Sequence, residues 1–208
     1  MTCFPIMLRL EGRTCVVVGA GRIAAAKAAG LLHHGAHVVV VAPKAVGWVR
    51  GHARSGKLAW HCRAFSARDV RGAFLVVAAT NSAAVNGAVF RACRSRGVLC
   101  NVVDDPEHCD FFYPAVVRRG PLQIAISTDG NSPALAARLR QEMERQFGPE
   151  WKSFVEHIGK LRQQFRTAGM PLKKQREQLV ELSGQKAFLR FRRQVRANRR
   201  GKQSHPKS

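Results

Sequence analysis

Acidic residues are scarce in this chain. Thirteen Asp and Glu stand against 35 Lys and Arg in 208 residues, a net charge of +22. That balance points away from cationic partners and toward polyanions: nucleic acid, a membrane surface or an acidic small molecule. Long apolar runs are missing too. None approaches the roughly 18 residues of a membrane span, and the CFPIML segment near the start is too short, and lacks the basic lead, for a secretory signal. A soluble, cytoplasmic protein without membrane contact is expected. The six cysteines form no C-x-x-C pair. Cys15, Cys62 and Cys100 fall in strand-like runs, where a thiol acts as a small hydrophobe, so reduced structural thiols are expected rather than a disulfide framework. No second ligand pair stands at a zinc-like spacing, which leaves PEHCD (106–110) as a turn with solvated polar residues and no metal site. Internal repeats are absent.

What is present is an alternation. Apolar runs at 14–18, 37–42, 58–62, 74–80 and 98–103 are separated by helical or polar segments of one crossover each, which implies a five-stranded parallel sheet covered on both faces. After Asp110 the rhythm changes. FFYPAVVRRGPLQIAIST holds two extended runs joined at Gly120-Pro121, a hairpin or sheet extension. A helix then starts with Ser132 as N-cap and Pro133 at its first position, with Leu135, Leu139 and Met143 spaced by four. From Gly148 onward Trp151, Phe154, Val155, Ile158, Leu161 and Phe165 form one amphipathic stripe, Pro171 interrupts it, and Leu179, Leu182 and Phe188 suggest another. The expected organisation is a Rossmann-like α/β domain over 1–112, a β-containing segment over 113–147 and a small helical domain over 148–195. A basic tail over 196–208 has almost nothing to bury and is expected to be disordered. Residues 151–208 carry 16 basic and 3 acidic side chains, so the positive charge is concentrated late in the chain.

VVVGAGRIAAAK (16–27) reads as strand, glycine turn and helix. Gly19-Ala20-Gly21-Arg22-Ile23-Ala24 fits G-x-G-x-x-G/A: Gly19 allows the tight turn, Gly21 lets backbone approach a pyrophosphate, and Ala24 lets the helix lie close to the strand. The alternative is a turn whose glycines serve packing only. The second strand, which should end on an acid for the adenosine ribose, ends instead on Pro43 and Lys44. With sheet order 3-2-1-4-5 the ligand crevice lies at the carboxyl ends of strands 1 and 4, where Thr80 and Asn81 offer hydroxyl and amide groups. Asp104, at the end of strand 5, is the acid/base candidate, or else an Asp that caps the turn before Pro106. Residues 127–133 (STDGNSP) are a helix cap that could equally serve as a carboxylate site.

The stretches CFPIMLRLEGRTCVVVGAGRIAAAKAAGLL, VVAPK, FLVVAATN and NVVDDPEHCDFFYPAVVRRGPLQIAISTDGNSPALAARLRQEME, in that order, resemble the precorrin-2 dehydrogenase module of siroheme synthases, in a stand-alone form. The resemblance implies NAD-dependent oxidation of precorrin-2 to sirohydrochlorin and, in some members, insertion of ferrous iron as a second substrate. It also implies a homodimer built through segment 113–147. On that reading Gly19, Ala20, Gly21, Arg22, Ile23, Pro43, Lys44, Thr80, Asn81 and Val102 hold the cofactor. Asn101, Arg118, Arg119, Ser127, Thr128 and Ser132 meet the polyanionic tetrapyrrole, and Asp104 is the base, with no resident metal. Arg118 and Arg119 suit its carboxylates because a guanidinium binds them bidentately. Lys44 departs from the acid many relatives place there, so NADP is expected to be excluded less sharply than usual. A competing class is a nucleotide-sensing domain whose basic tail holds nucleic acid; the chain has no aromatic nucleic-acid-binding motif, which makes nucleic acid an unlikely partner.

Overall fold

The computed structural model describes residues 3–203. The chain divides into two compact units, one up to Tyr113 and one from Pro114 onward. The first unit holds β1 (Thr14–Val18), α1 (Arg22–His33), β2 (His37–Val41), α2 (Gly47–Arg54), β3 (Ala59–His61), β4 (Leu75–Ala78), α3 (Ala83–Arg94) and β5 (Leu99–Val102), followed by a 3-10 turn at Pro106–His108. The strands pair in parallel in the order β3-β2-β1-β4-β5, with Val16 level with Val39 on one side and Val76 on the other.

Why these segments form strands follows from their composition. β1, β2 and β4 are short valine-rich runs, stiff at χ1 and poor helix formers, and their side chains alternate between two apolar layers. Cys15 and Val17 face a layer with Ala24, Ala28 and Leu31 of α1 and Val49 of α2. Val16 and Val18 face another with Val89, Ala92 and Cys93 of α3. A fully buried valine contributes roughly 1.5–3 kcal/mol relative to exposure. α1 is built from alanines, so Ala24, Ala25 and Ala28 are all buried and the helix lies close on the sheet. Burial pushes the Cys15 thiol up to about 11, which keeps it protonated. Cys62 differs from expectation: β3 ends at His61, and Cys62 is exposed, its thiol donating to the Pro43 carbonyl at 3.3 Å.

The β1–α1 turn depends on a missing side chain. Gly19 has φ of 106°, and a Cβ there would collide with the carbonyl group of Ala79 just beyond β4. Its N–H donates to Val41 at 2.9 Å, so the turn is clamped between the ends of β2 and β4.

The second unit starts with the antiparallel hairpin of β6 (Ala115–Arg119) and β7 (Leu122–Ile126). It continues through α4 (Pro133–Gln146), α5 (Glu150–Thr167), α6 (Leu172–Ser183) and α7 (Gln185–Gln203). Ser132 caps α4 by accepting from Leu135 N, and Pro133 follows at the first helical position. Phe154 and Phe188 are buried, and Trp151 stacks on Phe188 with centroids 4.3 Å apart. The second stripe read from sequence is divided: Gly184 takes an extended conformation between α6 and α7, so Leu179 and Leu182 belong to one helix and Phe188 to the next. The tail expected to be disordered from residue 196 is instead helical as far as Gln203; residues 204–208 lie outside the described residues. None of the described helices is long and apolar enough to cross a membrane.

Arg119 staples this unit. Its Nε donates to the Phe147 carbonyl at 2.7 Å and a terminal nitrogen donates to the Glu144 carbonyl at 3.1 Å, which satisfies carbonyls left open at the end of α4. Arg119→Met, which keeps the aliphatic stem, is expected to lower stability by about 1–3 kcal/mol in urea unfolding. Gly19→Ala is expected to cost at least about 2 kcal/mol in the same measurement, because the new Cβ meets backbone and the left-handed φ strains it.

Candidate functional site

The carboxyl ends of β1, β4 and β5 lie together in the first unit, and the residues there have distinct tasks. Gly19 is explained by packing, but Gly21 is not. Its φ of −75° is ordinary, it caps α1 without any side-chain acceptor, and a Cβ placed on it would meet nothing within 4 Å. The space before it is open and the first N–H groups of a 12-residue helix face that space. This is a cradle for an anionic group, with backbone donors and the positive end of the helix dipole converging on it. Arg22 and Ile23 stand exposed at its rim, Ile23 at 54%. Ala20 is buried, and its carbonyl accepts from Val46 N at 3.0 Å, which holds the β2–α2 loop with exposed Pro43 and Lys44 beside the glycine turn. The residues present therefore fit a dinucleotide pyrophosphate.

At the end of β4 the structure gives Thr80 partners of its own. The Thr80 hydroxyl donates to Asn86 Oδ1 at 2.7 Å and accepts from Ser82 N at 3.2 Å, while Asn86 Nδ2 donates back to the Thr80 carbonyl at 3.1 Å. Thr80 is therefore locked to α3 and has no free proton for a ligand; Asn81, exposed beside it, keeps its amide free among the described residues. Asn86, buried in α3, escaped the sequence reading, although a polar residue one turn after a strand-end Thr-Asn is a signal that could have found it.

The end of β5 is laced to the turn that follows. Asp110 accepts from Cys100 N at 2.9 Å, the Cys109 thiol donates to the Val102 carbonyl at 3.2 Å, and Asn101 Nδ2 donates to the Phe111 carbonyl at 2.9 Å. Asn101 and Val102 are both buried. Asn101 was expected to meet substrate; its amide instead ties the returning chain to the strand. Asp105 is also engaged, because its carboxylate can only accept and so takes the Nδ1–H of His108 at 2.7 Å. Among the described residues no group of three or more His, Cys, Asp or Glu converges as a metal-binding set.

Asp104 is different. It is exposed, sits in the turn at φ of 62°, a region that Asp and Asn tolerate better than other side chains, and its carboxylate makes no hydrogen bond among the described residues. Near it lies Lys27 of α1, half-buried, with its ammonium 3.5 Å from the centroid of the Tyr113 ring. Burial lowers the Lys27 pKa, and the negative charge of Asp104 works in the opposite direction. Lys27 was missed in the sequence; a lone cation in the alanine run after Arg22 is the only mark it leaves.

In the second unit, Ser127 accepts from Asp129 N at 3.1 Å, Thr128 from Ser132 N at 3.1 Å, and Ser132 from Leu135 N at 3.2 Å. All three hydroxyls shape the loop before α4 as acceptors and retain their own protons as donors. Arg118 is exposed and without an acidic partner among the described residues, whereas Arg119, expected to bind carboxylates beside it, has its guanidinium turned onto α4.

Comparison with known proteins gives this arrangement its relatives. The family described as "Putative NAD(P)-binding" matches residues 6–115, and that described as "Sirohaem biosynthesis protein central" matches residues 119–146. The siroheme synthase of Photorhabdus laumondii is 37% identical over 163 residues, covering 78% of this chain and 35% of that protein. The siroheme synthase of Nitrosococcus oceani is 40% identical over 144 residues, covering 69% of this chain and 31% of that protein. The chain thus spans about a third of the length of the curated relatives it matches. Among solved structures, SirC, precorrin-2 dehydrogenase, superposes with a TM-score of 0.79 at 27% identity over 94% of this chain and all of that one. With an open glycine cradle on a β3-β2-β1-β4-β5 sheet, the chain belongs to the family described as putative NAD(P)-binding, and it carries after that domain a segment that matches the central part of sirohaem biosynthesis proteins.

Proposed function

We propose that this chain oxidises precorrin-2 to sirohydrochlorin with NAD as hydride acceptor. The observation that carries the reading is the pairing of an open phosphate cradle at Gly21 with an unbonded carboxylate, Asp104, at the carboxyl ends of the same parallel sheet. Kinship with siroheme synthases and likeness to SirC, precorrin-2 dehydrogenase, support the choice of substrate.

A nicotinamide bound there supplies a two-electron hydride acceptor. The backbone donors at the start of α1 orient the pyrophosphate, and Asn81 offers its amide at the end of β4. Oxidation removes a hydride from a ring-bridging carbon and also releases a proton; Asp104 takes that proton. Lys27 supplies a positive charge close to Asp104, on the same side of the sheet as the cradle. Asp105 holds His108 and is not a second base. In the second unit, Arg118 and the hydroxyls of Ser127, Thr128 and Ser132 are the groups suited to carboxylates of such a substrate, and the positive charge of the chain attracts so highly charged an anion. Ferrous iron is the second substrate this reading allows: Asp104 would take the two pyrrole N–H protons one after the other and pass each to solvent as iron enters the macrocycle. A soluble dinucleotide and free cysteines suit a cytoplasmic location.

The same reading includes a homodimer through residues 113–147. A two-stranded sheet is marginal by itself, β6 and β7 each leave an outer edge of unpaired backbone groups, and Leu135 is 40% exposed in the adjoining helix. Sedimentation at micromolar concentration is expected to give twice the 23.0 kDa of one chain; a single-chain mass would count against the dimer.

The catalytic assignment is tested by Asp104→Asn. Asparagine tolerates the left-handed turn and keeps the size of the side chain but cannot accept the proton, so turnover should fall by about a hundredfold to ten-thousandfold while NAD affinity stays. Asp105→Asn should retain most of its turnover. Following the absorption spectrum of precorrin-2 after NAD, and again after ferrous iron, separates dehydrogenation from chelation; an unchanged spectrum at both stages would remove the proposed activity altogether.

A further inference from the structure

We propose that the adenosine end of this crevice is built to take a 2′-phosphate, so that the chain binds NADP at least as tightly as NAD, with Lys44 and Arg50 as the phosphate's partners. The inference rests on the dinucleotide reading of the glycine turn. In a doubly wound sheet that selects NAD, a carboxylate after β2 accepts from the ribose hydroxyls and repels a 2′-phosphate, whereas a nearby cation does the reverse.

No Asp or Glu occurs between Glu11 and Asp69, an interval that contains β1, α1, β2, α2 and β3. The half of the sheet that flanks the adenosine therefore has no carboxylate of its own, whatever the register of its loops. The acids that bound the interval are not available either. Glu11 lies against Gly35, at the amino ends of β1 and β2, away from the crevice. Asp69 accepts from Arg63 at 2.5 and 2.8 Å and from Ser66 N at 2.8 Å, and its side chain is only 5% exposed. The Arg63 bonds hold the Asp69 carboxyl below its ordinary pKa, so it stays ionised and paired.

Cations occupy the place of the missing acid. Lys44 is exposed in the β2–α2 loop, and the Val46 N to Ala20 carbonyl bond keeps that loop beside the glycine turn. Arg50, in the first turn of α2, donates one terminal nitrogen to the Ala45 carbonyl at 2.9 Å. That bond draws the guanidinium back to the residue next to Lys44, while its other N–H groups make no bond among the described residues. A phosphate placed between them would gain charge-assisted hydrogen bonds from both side chains. Ribose hydroxyls alone would find donors there but no carboxylate to receive their protons.

The test is calorimetric titration of the full chain with adenosine 2′,5′-bisphosphate, with 5′-AMP and with NAD, at low and at high salt. The bisphosphate and 5′-AMP differ only in the 2′-phosphate. The bisphosphate is expected to bind on the order of tenfold more tightly than 5′-AMP, with the advantage shrinking as salt screens the cations. In Lys44→Glu the two affinities should come within about twofold. Equal affinities in the parent, with NAD bound, would overturn the inference and leave the dinucleotide reading standing. Failure of all three ligands to bind would overturn both. An advantage that survives in the Lys44→Glu, Arg50→Gln double variant would overturn the assignment to these two residues.

Discussion

The approach of the β1–α1 turn to the end of β4 is the contact on which the rest of the crevice depends. At Gly19 the chain must pass so near the Ala79 carbonyl that no side chain fits, and only because it does so can α1 start directly over the strand ends. That one approach places the first N–H groups of α1 in front of Gly21, sets Lys27 two turns along within reach of Asp104's field, and brings Ala20 to where Val46 can bond it. The apolar layers make the geometry affordable: β1 is buried on both faces and pairs on both edges, so the turn is anchored to a strand that cannot shift.

The sheet was legible in the sequence because parallel strands buried on two faces are written as runs of Val, and the crossovers as segments of helical length between them. The hairpin after Pro114 and the Ser132-Pro133 start of α4 could be read from local chemistry alone, whereas the strand order followed from the doubly wound arrangement that the glycine turn implies. What local pattern does not show is a contact distant in sequence or a hydrogen-bond partner on another element. The Thr80 hydroxyl is engaged by Asn86, and Arg119 differs from its neighbour Arg118 because the end of α4 needs a donor. Asn101 sat at the expected strand end but faced the returning chain instead of open space. Lys27 was invisible for a related reason, since only the packed structure brings a cation from the second turn of α1 beside the turn after β5.

The residues of the turn after β5 also divide in a way that sequence adjacency conceals. Asp104 and Asp105 are consecutive carboxylates, yet one is free and the other is bonded to His108, because the left-handed backbone at Asp104 turns the chain between them. Cys109 and Asp110, at the end of a segment that looks on paper like a set of metal ligands, are both consumed in tying that turn back to β5. Of the two consecutive carboxylates, Asp104 is the one left without a hydrogen bond among the described residues, on a braced support that suits the base proposed for it.

The reciprocal bonds between Thr80 and Asn86 give the crevice walls of unequal stiffness. The end of β4 and the first turn of α3 are cross-linked by donor and acceptor pairs in both directions and behave as one solid piece. The opposing wall, the β2–α2 loop, is held by scattered bonds to separate partners, Val46 N to the Ala20 carbonyl, the Cys62 thiol to the Pro43 carbonyl and Arg50 to the Ala45 carbonyl, with no reciprocal pair among the described residues. Of the two walls, the loop that carries Lys44 is thus the one whose bonds can be exchanged one at a time, the jaw of a clamp in which give is concentrated.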